Sequence, residues 1–328
     1  MILILSKPDD ASVEKVMDWL RQCDYPCVRL DPIDLIEQAS FCSLYPEKLE
    51  VGQKVIDVTQ VHAVWYRRMS NFTDSKYFEH NKKKLVKQAI AQLSQEYNAI
   101  AEGLPALLPQ AYWLNTPLND NVNKLQVLSI ARQCKLQVPA TFIVSTRVRL
   151  AKLLKEFALI YKSVYNSIFM KVDQGFYTMY TQEITQETIQ RLDTTFYPSL
   201  VQQKIEKLYE IRSFYLEGQF YSMAIFSQQD KQTQVDFRQY NRQNPNRFVP
   251  YQLPSNLESK LTQLMQQLHL NCGSIDLIKG IDGQFYFLEV NPIGQYGMTS
   301  NPCNYNLDQI IAQHLIKQDL AYEKKAIH

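Results

Sequence analysis

The stretch at residues 272–292, CGSIDLIKGIDGQFYFLEVNP, is the most informative in the chain. Two apolar runs flank Asp282-Gly283, a dipeptide that favours the backbone angles of a two-residue hairpin turn. With that turn Ile281 faces Gln284, and Asp276 lies directly opposite Glu289. Asn291 falls further along the same face, which Phe285 and Phe287 are expected to share. Opposed carboxylates with side-chain origins about 5 Å apart repel each other, which disfavours them in a purely structural sheet. A divalent cation reverses that sign. The all-oxygen set Asp276, Glu289 and Asn291 suits Mg²⁺, which takes one or two carboxylates and completes its shell with water and phosphate oxygens. The plainer alternative is a hairpin whose acidic residues face water. A loop longer by two residues preserves the shared face, and an odd change destroys it.

A metal face of this kind calls for an anionic partner, and several basic residues occupy suitable contexts. Lys124 stands at a helix start, where free backbone N–H groups also favour phosphate. Lys162 follows the apolar run Leu159-Ile160-Tyr161 and emerges from the end of a buried strand. Arg212 lies on one arm of a Glu217-Gly218 hairpin, with Glu210 on its face, and Asp236 shares a face with Arg238 across Phe237. Singly, each is an ordinary surface or ion-paired residue. Together they supply the positive charge that phosphoryl transfer needs, since its catalysis is mostly positioning and charge stabilisation.

The whole chain has 328 residues, with 35 basic and 33 acidic side chains and a net charge of +2, which argues against a purely electrostatic nucleic-acid binder. At 45% hydrophobic and 21% charged it has the composition of a globular protein. The opening MILIL is too short for a signal peptide and has no basic region before it, so it reads as a first strand. No apolar stretch approaches the ~20 residues that span a bilayer. Six cysteines without CxxC spacing argue against a zinc ribbon or a disulfide framework and suit a cytoplasmic protein. Neither GxxxxGK[ST] nor GxGxxG occurs.

From Met1 to about Tyr112, strands and helices alternate in a βαβ opening: residues 1–5, a helix with Val13, Val16, Met17 and Leu20 inward, then Cys27 to Leu30. The strand Val61 to Tyr66 exits into Arg67 and Arg68. A long helix follows, starting at Lys82-Lys83-Lys84 and carrying Leu85, Ala89, Leu93, Tyr97 and Ile100 on one side. The lysine run reads as a solvated face or, alternatively, a polyanion site. Linker composition from Leu114 to Asp120 marks a boundary and a third region of strands, aromatic hairpins and two helices begins near Pro198, so the chain divides into 1–113, 114–197 and 198–328. The next helix turns Val122, Leu125, Leu128 and Ala131 inward. The hairpin from Tyr209 to Phe226 holds Phe214, Tyr215, Phe220 and Tyr221, more apolar surface than a two-stranded arm buries alone. Those rings either receive a partner helix or pack beneath the neighbouring subdomain.

The ordered series Lys124, VPATFIVS, Lys162, PSLVQQKIEKLYEIR, VDFR, SIDLI and FLEVNPIGQYGM resembles the ATP-grasp fold along nearly the whole chain. With VWYRR at 64–68 it is similar to the microviridin-type or graspetide ligases, which modify ribosomally made peptides, and EVNPIGQYGMTSNPCNY looks most like the grasp-with-spasm maturases. The resemblance implies an α/β protein of α+β subdomains. Residues 1–113 become a pre-ATP-grasp domain, 114–197 and 198–328 the two ATP-grasp subdomains. It also implies ATP and Mg²⁺, with Lys124 and Lys162 on phosphates, the strand Gln202, Gln203, Lys204 and Ile205 as adenine hinge, and Glu210 at the ribose. Asp276, Glu289 and Asn291 become Mg²⁺ ligands, and Arg212 and Arg238 steady the transferred phosphoryl group. Gln203 stands where an acidic hinge residue is common, Phe237 where Trp is, and the phosphate-covering loop has only Gly175.

The activity so implied turns a peptide Asp or Glu carboxylate into an acyl phosphate, which a Ser or Thr hydroxyl or a Lys amine then displaces to leave an ester or amide crosslink. The implied partners are a precursor peptide of leader plus core and a second copy in a homodimer, without nucleic acid or membrane. Arg67, Arg68, Asp236, Tyr215 and Tyr221 are the candidate substrate contacts, although Trp65 to Arg68 also reads as a core strand with a basic exit. Two alternatives stand beside this reading: a glutathione-synthetase-like ligase for a free amino acid or small peptide, and a degenerate scaffold that binds nucleotide or leader without turnover.

Overall fold

The first strand, β1 (Ile2–Leu5), is buried along its whole length, as an apolar strand in a parallel sheet covered on both faces must be. In the computed structural model, which describes residues 1–326 apart from 39, 45–46, 53, 166–168, 173–174, 179, 229–240, 242 and 244, the chain forms two units. One comprises Met1–Asp120 with Asn306–His328, the other Asn121–Tyr305.

In the first unit α1 (Ala11–Gln22) starts at Asp10, whose carboxylate accepts the Ser12 N–H, and buries Val13, Val16, Met17 and Leu20 as their spacing predicts. Next come β2 (Cys27–Leu30), α2 (Asp34–Glu37), an antiparallel sheet of β3 (Ser40–Leu44), β4 (Glu47–Val51) and β5 (Lys54–Ile56), and then β6 (Ala63–Tyr66). After α3 (Lys76–Asn81) and α4 (Lys87–Gly103), β7 (Tyr112–Leu114) completes a parallel sheet ordered β2-β1-β6-β7. The βαβ opening is therefore present. The lysine run is not at a helix start: Lys82 to Lys84 form an exposed turn between α3 and α4, and Leu85 precedes α4. On α4 Tyr97 is buried but Ile100 is exposed, because Ala101 takes the inward position one residue on.

The second unit begins with α5 (Lys124–Gln133), capped by Asn123, whose side-chain oxygen accepts from Leu125 N and Gln126 N. Val127, Leu128 and Ala131 point inward while Leu125 is exposed, a rotation of the expected face by part of a turn. There follow β8 (Thr141–Thr146), α6 (Arg147–Glu156), β9 (Leu159–Lys162), the hairpin of β10 (Phe169–Val172) with β11 (Gly175–Thr178), β12 (Gln182–Ile184), α7 (Gln186–Arg191) and β13 (Thr195–Gln203). Strands β12-β9-β13-β8 form an antiparallel sheet. Its Val144, Leu159, Ile184 and Val201 pack on Leu150 and Leu153 of α6 and Ile189 of α7.

The chain then runs through β14 (Lys207–Leu216), β15 (Gln219–Phe226), β16 (Arg247–Tyr251), α8 (Ser255–Gln267), β17 (Cys272–Gly280), β18 (Phe285–Asn291) and α9 (Gly297–Cys303). Glu217 and Gly218 turn β14 into β15, both at positive φ, the geometry of a two-residue hairpin loop. That hairpin is not a free arm. It lies within a five-stranded sheet ordered β16-β15-β14-β17-β18, with Phe214 and Tyr215 buried. One sheet face packs on α5 and α8 through Ile211, Tyr215, Ile275, Leu277, Phe287 and Val290. The other carries α9 over Met223 and Ile225.

The last helix, α10 (Leu307–Ala326), returns to the first unit. There Tyr25 donates to Asp319 at 2.6 Å, and Tyr112 Oη lies 2.9 Å from His314 Nε2. No helix among the described residues is long and apolar enough to cross a membrane.

Candidate nucleotide and metal face

Asp276 and Glu289 are direct cross-strand partners, and Ser274 opposes Asn291. The route to that pairing differs from the expected one. Gly280 donates to Gln284 O at 2.9 Å and accepts from Gly283 N at 3.0 Å, so the loop has three residues, Ile281 to Gly283, instead of two. That odd change turns Phe285 and Phe287 to the opposite face, where Phe287 is fully buried in the core. Leu288 then stands unpaired between Phe287, opposite Leu277, and Glu289, opposite Asp276. This β-bulge restores the shared face of the two carboxylates.

On the same face Arg212 is the cross-strand partner of Asp276, its Nη1 3.5 Å from Asp276 Oδ2. Lys124 Nζ donates to the carbonyls of Ser163 and Tyr165 at 3.0 and 3.1 Å and sits 3.7 Å from Glu289 Oε2. Each carboxylate thus has a cation beside it. Asn291 Oδ1 accepts Gly294 N–H at 3.0 Å, which orients the carboxamide. Glycine is required at 294, because a Cβ there would lie 2.3 Å from Ser274 Oγ and 2.7 Å from Ser274 N.

Among the described residues no three of His, Cys, Asp or Glu gather as a closed metal cage. Two carboxylates and one amide oxygen on a partly exposed face instead suit an ion that keeps waters and binds phosphate oxygens. The residues present fit Mg²⁺.

The four-stranded sheet offers a second surface. With α6 and α7 covering one side, the other carries Thr141, Ile143, Ile160, Lys162, Leu200 and Gln202, as the register of β8, β9 and β13 dictates. Ile143 is 49% exposed there. Lys162 closes the end of β9, as expected. Gln202 is only 2% exposed, and its Nε2 donates to Thr141 Oγ1 at 3.0 Å. Its Oε1 is buried without a hydrogen-bond partner among the described residues, an acceptor that a ligand amine would satisfy. The expected hinge strand ends at Gln203, which bonds Ala140 O through its N–H. Lys204 pairs with Glu183 at 2.6 Å, and Ile205 lies in the connection to β14.

Glu210 shares the face of Arg212 and accepts from Ser227 Oγ at 3.4 Å. Its ion-pair partner is Lys207, which the sequence reading missed. Three residues apart on a regular strand, the two would lie on opposite faces. A register shift between Lys207 and Tyr209 brings them together.

The remaining candidates are dispersed. Arg67 and Arg68 leave β6 and converge on Asp10, their Nε atoms 3.4 and 3.0 Å from its Oδ2. Beside them Tyr66 donates to Asp120 at 2.6 Å, and burial together with this carboxylate pushes the phenol's pKa well up. Tyr215 lines a cavity of about 360 Å³ at the hairpin tip with Glu217, Thr262, Gln266, His269 and Asn271. Tyr221 stacks edge-on against Tyr305 at 5.7 Å. Asp236 and Arg238 fall outside the described residues.

These layers and sheets constitute an ATP-grasp fold with an N-terminal pre-ATP-grasp domain. Within it, residues 1–121 match the family described as the MvdD pre-ATP grasp domain. Among solved structures the chain is similar to a Chryseobacterium gregarium RiPP-associated ATP-grasp ligase in complex with ADP and a leader and core peptide. The TM-score is 0.82 at 22% identity, over 97% of this chain and 96% of that one. The macrocyclase MdnC from Microcystis aeruginosa MRC, bound with precursor peptide MdnA, follows at 0.77 and 24% over 96% and 99%. The ATP-grasp ligase PsnB, complexed with minimal precursor, Mg and ADP, superposes at 0.76 and 18% over 97% of each chain. No curated protein matches the sequence.

Proposed function

We propose that this protein is an ATP- and Mg²⁺-dependent ligase that crosslinks side chains within a ribosomally made precursor peptide. The observation that carries the reading is the single sheet face on which Glu210, Arg212, Asp276, Glu289 and Asn291 stand together. A mixed population of anions and cations on one strand face has no packing advantage, and it suits a metal-bound polyphosphate. The strip with Ile143, Leu200 and Gln202, on the sheet face away from α6 and α7, suits a purine through the exposed Ile143 and the unmet Gln202 acceptor, and Lys162 at its end suits a phosphate. Solved proteins of similar fold hold ADP, Mg and precursor peptides, which supports the same ligand classes here.

Asp276, Glu289 and Asn291 would hold Mg²⁺, which when bound neutralises phosphate charge. Arg212 and Arg238 stabilise the transferred phosphoryl group, and Lys124 and Lys162 bind phosphates. A free carboxylate is a poor acyl donor, so a peptide Asp or Glu is first phosphorylated at the expense of ATP. A hydroxyl or amine of the same peptide then displaces phosphate. In this reading residues 1–113, 114–197 and 198–328 act as three functional parts. Arg68, partly exposed beside Asp10, attracts the acidic peptide with the buried Arg67 behind it, and the cavity beside Tyr215 takes an anchor side chain of the leader. The grasp-with-spasm branch, a cytoplasmic location and a homodimer belong to the same proposal.

The test is ATP hydrolysis by the full chain with a Thr- and Asp- or Glu-rich precursor, with single amino acids, and with no substrate. Peptide-dependent turnover, with loss of one water mass per ring in the product, is the expected result. Turnover on free amino acids points to a small-molecule ligase, and nucleotide binding without turnover to a scaffold. Equal ring formation from full-length and leaderless peptide would remove the leader site.

A further inference from the structure

Lys207 has no place in the reading above, and the chain goes to some length to put it where it is. In β14 the partners are Lys207 with Gly280 and Tyr209 with Lys279, so Leu208 is left unpaired. That bulge moves Lys207 onto the face of Glu210 and Arg212 and leaves Leu208 outside, 48% exposed. Exposing a leucine to bury an ammonium runs against the ordinary preference of both side chains. The Lys207 side chain is only 6% exposed and contacts Glu210 Oε1 directly. Ser227 Oγ reaches the same oxygen. For stability alone such a buried pair is generally no better than two apolar residues of similar size. What the pair does secure is the orientation of the Glu210 carboxylate.

Glu210 stands two residues from Arg212, about 7 Å along the strand from the metal and phosphate end of the face. That is the separation at which the sugar of a nucleotide would lie. We infer that Lys207 is a positioning residue, which holds the Glu210 carboxylate aimed so that it accepts hydrogen bonds from the ribose hydroxyls and thereby makes the site select ribonucleotides. This rests on the nucleotide reading of the face.

The experiment is calorimetric titration of the full chain with ATP, 2′-deoxy-ATP and 3′-deoxy-ATP. Hydrogen bonds to a charged acceptor predict a wild-type preference for ATP of roughly ten- to a hundredfold. Lys207→Met should bring that preference to about threefold or less, and a merely structural lysine would weaken all three nucleotides alike. Should the Met variant not fold, Lys207→Gln, which keeps a donor but no charge, carries the same measurement. If Glu210→Gln abolishes the preference and the folded Lys207 variant keeps it, the role given to Lys207 is wrong and the ribose reading survives. If Glu210→Gln keeps the preference as well, the ribose reading falls, and the inference with it.

Discussion

Asp276 faces Glu289 across β17 and β18 because Leu288 is left out of the ladder between them. Two one-residue irregularities, the three-residue loop and this bulge, cancel at the carboxylates and act in full on the aromatic pair that lies between. Their consequences for chemistry and for stability are therefore separable.

On the chemical side, Glu289→Gln removes one of two anionic ligands from the proposed Mg²⁺ site while keeping the side-chain shape. ATP-dependent turnover should fall about 100-fold or more, with the far-ultraviolet circular dichroism unchanged. Near wild-type rates in the folded variant would refute the metal assignment.

Phe287, expected beside Glu289, is instead core. Its replacement by alanine should cost about 3–5 kcal/mol of stability, measured by urea unfolding. A loss under about 1 kcal/mol would show that the ring does not sit in the packed interior between the sheet and α5 and α8.

Binding and chemistry should divide between two cations. Lys162→Ala should weaken ATP binding by about tenfold or more, since a charge-assisted contact to phosphate is lost. Arg238→Ala should instead slow single-turnover ring formation by about 100-fold with a smaller effect on nucleotide affinity, because its proposed role is to stabilise charge that develops during transfer. Nucleotide titrations and rapid-mixing rates showing the reverse order would exchange the two roles.

A pH effect follows from Asp120. Burial raises its carboxyl pKa above the ordinary value, and the hydrogen bond from Tyr66 opposes that rise without cancelling it. A carboxyl with a raised folded-state pKa contributes stability that is full below the unfolded value and lost as pH rises through the folded one. Asn accepts the same Tyr66 hydrogen bond and does not titrate. At pH 7 Asp120→Asn should therefore melt higher than wild type, and the gap should close on acidification. Calorimetric scans from pH 4 to 7 would show it, and a gap independent of pH would contradict it.

Much of this protein is legible without coordinates, and the reason is locality. The βαβ opening, the Glu217-Gly218 turn and the strand ending at Lys162 each depend on a few neighbouring residues with strong conformational preferences. Alternation with period two then places Arg212 with Glu210, and Glu289 with Asn291; Asp276 joins that pair only because the three-residue loop and the bulge at Leu288 cancel.

What only the tertiary structure decided is which residues are left out of that alternation and which face each layer covers. Leu208 and Leu288 look like any other strand leucine, yet leaving each unpaired reverses the parity of everything beyond it. Lys207 could not be recognised as a neighbour of Glu210, nor Phe287 as core, until those bulges were seen. The same holds for Ile143 and Gln202, whose exposure and unmet acceptor depend on α6 and α7 packing on the opposite side of their sheet. Which face of a sheet receives the helices results from long-range packing, and no local run of residues encodes it.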